Sequence, residues 1–158
     1  MIFILKVFIQ QLNFHDNFMV EIIRPFHLAF PVKNLEETRD WYIRALCCSI
    51  GRESSEWIDF NLFGHQIVAH LSSNLNLFPF NQIDGEKIPV RHFGVILKIP
   101  EWNELKEKLI SSRVKFIIKP IIRFRGELGE QRTMFIEDPS GNALEFKSFA
   151  DDEMIFEK

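Results

Sequence analysis

Apolar and polar positions along this chain run through the same order twice. Residues 24–31 alternate as a strand, with Phe26, Leu28 and Phe30 on one face and His27 and Ala29 on the other, until Pro31 ends it. Asn34 then offers a helix N-cap, with Glu37 three residues on as in a capping box. The apolar stripe of the helix that follows is Trp41, Tyr42, Ala45 and Leu46. Residues 56–62 alternate again, Gly64 marks a turn, and 65–72 form a strand in which Gln66, Val68 and His70 share a face. Residues 73–89, polar and carrying Asn, Pro, Asp and Gly, read as a linker. The second pass opens with a strand over 91–99, closed by Pro100. A helix over 101–112 has Trp102, Leu105, Leu109 and Ile110 on one side. A strand over 114–119 is bounded by Pro120, a charged loop fills 121–130, a strand covers 131–137, Asp138 to Asn142 make a turn, and 143–149 are the last strand.

Each half therefore reads β-α-β-(β)-β over fifty to sixty residues. Two copies at so long a period make a paired-module domain, not a solenoid. The α+β domain spans 19–150, with module one at 24–72, the linker at 73–89 and module two at 90–150; 151–158 is a C-terminal tail. Residues 1–18 begin apolar but are broken by Lys6, Gln10, Gln11, Asn13 and Asp16, too short and interrupted to span a bilayer. Met19 opens a natural-looking start, so 1–18 reads as a tail or an over-long start.

Composition narrows the function classes. The chain has 158 residues, one domain's worth, and a net charge of −3 without a basic stripe, which gives nucleic-acid binding little support. Seventeen Phe against one Tyr put many aromatic positions in a core or pocket without a phenol. The only cysteines, Cys47 and Cys48, are neighbours; they exclude a disulfide framework, point to a cytoplasmic setting and read as small buried hydrophobes.

The candidate chemistry lies at repeated positions. His27 and His92 each open an apolar run, while His70 and Glu145 each lie near the end of a run that follows a Gly-containing turn. Any one alone would be a structural polar residue; together, flanked by apolar positions, His27, His92 and Glu145 make a metal site the better reading, because a buried Glu without a cation is costly. For His70 a hydrogen-bonded core histidine and a functional role weigh equally. His65 has the opposite strand parity and reads as an outward or supporting residue, and His15 falls in the tail. Arg125 and Arg132, in the charged region before the late strand, could pair bidentately with a substrate carboxylate. Phe60, Phe93 and Phe146 fit a pocket or the core equally well; Asn61 and Lys147 reach the cavity side by alternation.

The segments FHLAFPVKNLEETRDWY, WIDFNLFGHQIVAHL, RHFGVIL and MFIEDPSGNALEFK, which cover nearly all of 24–150, resemble the vicinal-oxygen-chelate superfamily of glyoxalase I, bleomycin- and fosfomycin-resistance proteins and extradiol dioxygenases. They look most like the bacterial proteins described as predicted extradiol-type dioxygenases. The resemblance implies two paired βαβββ modules forming a partly open, barrel-like cavity around one metal. His27, His92 and Glu145 match the family's ligands, and His70 matches the last-strand position of module one. Two His and a carboxylate leave open positions suited to Fe(II) and O2, with Zn, Ni or Mn as other ions. The implied activity is an extradiol-type dioxygenase acting on a small vicinal diol or catechol, with His70 moving protons. The alternatives are a glyoxalase-like lyase, isomerase or thiol transferase, with His70 as a fourth ligand, and a metal-free antibiotic-binding protein. Extradiol enzymes commonly carry a tyrosine shortly before the carboxylate; this chain offers Thr133, Met134 and Phe135 there. The family often forms homodimers, and no membrane partner is implied.

Overall fold

Two four-stranded sheets carry the molecule, each built by one βαβββ pass. The structure is a computed structural model and describes residues 24–75, 79–83 and 85–157; the expectation for 1–18 lies outside them. The first pass is β1 (His27–Val32), α1 (Leu35–Leu46), β2 (Ser49–Glu53), β3 (Trp57–Leu62) and β4 (His65–Leu71). A hairpin of β5 (Phe80–Ile83) and β6 (Glu86–Pro89) follows. The second pass is β7 (His92–Ile96), α2 (Ile99–Ser111), β8 (Phe116–Arg123), β9 (Gln131–Glu137) and β10 (Ala143–Phe149), and a single 3-10 turn covers Asp152–Ile155. The sheet orders are β1-β4-β3-β2 and β7-β10-β9-β8, with the first pair of each parallel and the others antiparallel. Neither sheet closes into a barrel.

Local sequence explains most boundaries. The Asn34 side chain accepts the Glu37 N–H at 3.0 Å and starts α1, and Cys47 ends it in a left-handed conformation at φ 55°. Four features differ from the sequence reading. Pro100 does not merely end a strand but sits in the first turn of α2, where its missing N–H costs nothing. Pro120 lies inside β8, because β8 is an edge strand with an irregular register there. The linker holds the β5–β6 hairpin, and β2 is an edge strand whose residues are mostly exposed, so neither shows apolar alternation.

One core joins the modules. Both helices cover the same side as the buried faces of the sheets, and Phe30, Tyr42, Phe60, Trp102, Leu144 and Phe146 belong to a single apolar cluster. Phe60 and Phe146 are thus core residues, with Phe93 packed against them, and Ile110, expected on the buried stripe of α2, is half exposed. Cys48 is buried, but Cys47 is exposed at the helix cap, contrary to the reading of both as buried. The Asp138–Asn142 turn ties module two to module one. Tyr42 donates to Asp138 at 3.2 Å, Asn142 Nδ2 donates to the Pro31 carbonyl at 2.9 Å, and the Lys33 N–H donates to Ser140 Oγ at 3.0 Å. Burial pushes the Asp138 carboxyl up, against the hydrogen bonds from Asn142, Ser140 and Tyr42. Burial and the neighbouring Asp138 hold the Tyr42 hydroxyl well above its ordinary value. No helix among the described residues is long and apolar enough to cross a membrane.

Candidate metal centre

Strand pairing decides which side chains share the faces turned away from the core. In the second sheet His92 lies opposite Ala143, Gly94 opposite Glu145 and Ile96 opposite Lys147, so His92, Glu145 and Lys147 occupy one face. His92 Nε2 is 3.1 Å from Glu145 Oε2. The other carboxylate oxygen accepts from Thr133 Oγ1 at 2.7 Å, and Lys147 Nζ is 3.5 Å from Oε2. His92 Nδ1 is 2.7 Å from the Pro89 carbonyl, which can only accept, so Nδ1 carries a proton and Nε2 is the nitrogen turned to the carboxylate.

The electrostatics follow from these contacts. The bond to Glu145 raises the His92 imidazole above its ordinary value; partial burial opposes this and the Pro89 carbonyl supports it. Burial pushes the Glu145 carboxyl up, but the His92 and Thr133 hydrogen bonds together with Lys147 outweigh it and hold the group below its ordinary value. A carboxylate kept ionised and an imidazole with its Nδ1 already bonded form a donor pair for a borderline divalent cation. A cleft of about 260 Å³ opens on them, lined by His92, Phe93, Gly94, Val95, Ile96, Glu145 and Lys147. Gly94 leaves no alternative at its position: a Cβ there would lie 1.6 Å from the Glu145 carbonyl oxygen. A glycine inside a strand signals such close approach, and that signal could have singled it out.

The first sheet carries His27 in the equivalent place. It lies opposite Gln66, Ala29 opposite Val68 and Pro31 opposite His70. His27 Nδ1 is 2.9 Å from Gln66 Oε1, and Gln66 Nε2 donates to Asp59 Oδ2 at 3.3 Å. His65 supports the strand end, its Nδ1 accepting the Phe26 N–H at 3.0 Å. Superposing the two registers makes Val68 the counterpart of Glu145 and Lys147 the counterpart of His70. His70 thus stands two residues past the position that would supply a fourth protein ligand, roughly 7 Å further along the strand. It is exposed on the face shared with Val68 and Gln66.

The structure brings His92 and Glu145 together but not His27 with them: among the described residues no three His, Cys, Asp or Glu groups are close enough to share an ion. The arginines are also redistributed. Arg125 lies in the exposed loop after β8. Arg132 pairs with Ser148 and Ile122, on the opposite face of the sheet from Glu145. Arg123, opposite Gln131, is the arginine whose register position falls on the Glu145 face; simple alternation could not have found it, because the register of β8 shifts between Ile118 and Ile121. Asn61, opposite Gln66, shares the His27 face.

Two βαβββ sheets share one core, with a His–Glu pair on the far face of one and a His on the far face of the other. The sequence profile described as the Glyoxalase/Bleomycin resistance protein/Dioxygenase superfamily matches residues 24–146. The chain belongs to that superfamily. A crystal structure described as a glyoxalase/bleomycin resistance protein/dioxygenase from Alicyclobacillus acidocaldarius is similar at 32% identity and TM-score 0.70, over 84% of this chain and 96% of that one. The fosfomycin resistance protein FosX from Listeria monocytogenes shares the fold at 18% identity and TM-score 0.63, over 84% of this chain and 98% of that one. A FosX mutant complexed with Mn(II) and 1S,2S-dihydroxypropylphosphonic acid shares it at 16% identity and TM-score 0.63, over 84% and 95%. Among curated proteins no match is found.

Proposed function

We propose that this protein is a divalent-metal enzyme acting on a small substrate that presents two neighbouring oxygens, and that its metal centre is completed between two copies of the chain. The observation that carries the reading is the division of the ligands. His92 and Glu145 are preassembled on one open face, while His27, with its own Nδ1 already bonded, occupies the matching position of another open face of the same chain. A second copy related by a two-fold axis offers its His27 to the first copy's pair and receives the same in return, giving two equal sites per dimer. Exposed apolar side chains near both half-sites, Phe26 beside His27 and Ile96 opposite Lys147, suit burial in such a contact.

The residues present fit a metal. Two imidazoles with Nδ1 satisfied offer Nε2 lone pairs, and the ionised Glu145 supplies the third donor. Such an ion would supply Lewis acidity and a docking point for two substrate oxygens. The chain's own groups do the rest. Thr133 fixes the rotation of the Glu145 carboxylate, Lys147 adds positive charge at its edge, and His70, exposed on the His27 face, would be the group to exchange a proton with a bound diol. Val68 at the fourth-ligand position favours a three-ligand facial set over a four-ligand site. That set, with Fe(II), supports extradiol-type dioxygenation with O2 as co-substrate as the finer reading.

A specific observation favours a second reading, an O2-independent lyase, isomerase or transferase with Mn, Zn or Ni. The only tyrosine, Tyr42, is wholly buried against Asp138 and absent from both half-sites. The test has two parts. Elemental analysis of anaerobically purified protein, followed by oxygen uptake with catechols, separates the two chemistries. Mixed dimers of His27→Ala and His92→Ala chains test the shared site: each variant alone should hold no metal, whereas the mixture should regain about one ion per mixed dimer, because one of its two sites keeps all ligands. A monomeric protein that binds one ion per chain would refute the shared centre.

A further inference from the structure

The open face of the first sheet carries a hydrogen-bond chain whose polarity can be read from end to end. Asp59 is only 6% exposed and its carboxylate can only accept. Arg52 Nε donates to Asp59 Oδ2 at 3.3 Å, and its guanidinium lies 5.7 Å from the centre of the Trp57 ring, which anchors the outer end. Gln66 Nε2 donates to the same carboxylate oxygen at 3.3 Å. The amide then has one orientation, because turning it over would aim its carbonyl oxygen at the carboxylate. Gln66 Oε1 is therefore the atom facing His27 Nδ1 at 2.9 Å, and an amide oxygen has no proton to give. The proton of that bond belongs to His27 Nδ1.

We infer that Gln66, locked by the buried Asp59, is a positioning residue that holds His27 in its Nδ1–H tautomer and aims the Nε2 lone pair out of the sheet toward the metal. The inference rests on the proposed role of His27 as a ligand, but the tautomer can be read without any metal. It runs against the intrinsic preference of a neutral imidazole in water, which places the proton on Nε2. Three features give the arrangement its rigidity. Gln66 and His27 are direct register partners across the parallel β1–β4 pair, Asp59 lies on the adjoining strand opposite Val68, and Gly51 lets β2 approach, since a Cβ there would meet Asp59 Cβ at 3.1 Å. The second sheet reaches the same end differently, with the Pro89 carbonyl taking the Nδ1 proton of His92. In both histidines Nδ1 thus carries a proton held by an unrelated acceptor, while in His92 Nε2 also faces the Glu145 carboxylate.

The experiment records the ¹⁵N shifts of the histidine side chains in the metal-free protein, with the imidazoles neutral, for the wild type, Gln66→Met and Asp59→Asn. Melting temperatures confirm that the variants fold, and His92, on the other sheet with Nδ1 on the Pro89 carbonyl and Nε2 facing Glu145, is the control whose signals should not move. The expected result is Nδ1–H at His27 in the wild type, reversion toward Nε2–H in Gln66→Met, and a mixture in Asp59→Asn, where the amide can turn over. His92 stays constant throughout. Mn(II) affinity, followed by electron paramagnetic resonance, should fall about 10- to 100-fold in Gln66→Met, the range typical of losing a histidine's supporting partner. Nε2–H at His27 in the wild type, or variants that leave the tautomer unchanged, would overturn the inference. So would a tautomer switch that leaves Mn(II) affinity intact. A wild type with the Nδ1–H tautomer but no Mn(II) uptake would instead remove the metal reading while leaving the chain of bonds standing.

Discussion

Replacing Gly94 by alanine is the sharpest test of how the His92–Glu145 pair is built. The added Cβ would lie 1.6 Å from the Glu145 carbonyl oxygen, 2.6 Å from its carbonyl carbon and 3.1 Å from its nitrogen, all backbone atoms that cannot rotate away. Contact-free packing of a carbon on a carbonyl oxygen needs more than about 3 Å, so β7 and β10 must separate by roughly 1.5 Å at this point. That movement disrupts at least two strand hydrogen bonds and leaves their groups half-buried. At about 1–1.5 kcal/mol each, with part of a desolvation penalty, the loss is about 3–4 kcal/mol. Alanine recovers up to about 1 kcal/mol by restricting the unfolded chain, leaving a net loss of about 3 kcal/mol. For a chain of this size that corresponds to a fall in Tm of roughly 6–12 °C, read by differential scanning calorimetry. Because His92 and Glu145 ride on the two separated strands, metal uptake should fall as well. A variant within about 2 °C of the wild type would refute the close approach and the register that places Glu145 opposite Gly94.

Thr133→Val removes the hydroxyl that holds Glu145 Oε1 without changing shape, so Mn(II) affinity should weaken by about tenfold while the melting temperature moves little. Tyr42→Phe breaks the bond to Asp138 that ties the modules, and should cost about 1 kcal/mol in denaturant unfolding with no change in metal content, confirming that the phenol takes no part in the site. Thiol labelling near neutral pH should consume the exposed Cys47 at once and Cys48 only on unfolding. Burial pushes the Cys48 thiol up to about 12, whereas an unfolded thiol ionises near about 8.5; the unfolded state therefore sheds a proton that the folded state keeps, and stability falls as pH rises between these values. Denaturant midpoints of Cys48→Ala should fall less steeply over that alkaline window than those of the wild type.

The duplicated order of elements was legible because each buried sheet face and helix stripe prints its own period on the sequence, two for Leu28–Phe30 and 3.6 for Tyr42–Leu46. Elements without a buried stripe were not: β2 is an edge strand of mainly exposed residues, the β5–β6 hairpin sits in polar sequence, and β8 passes through a proline that only an edge tolerates. His27, His92 and Glu145 stood out because polar groups at repeated strand positions are exceptions to that pattern. Which of them meet was beyond its reach. Alternation assigns a residue to a face but not to a partner; the pairing register decides that, setting Val68 rather than His70 in the place that mirrors Glu145. Packing of the helix-covered sides into one core decides the rest, since it leaves His27 and the His92–Glu145 pair on the far faces of different sheets, and among the described residues no three candidate ligands meet. The place of Arg123 on the Glu145 face was equally beyond alternation, because the register of β8 shifts between Ile118 and Ile121 and resets which residues face which side.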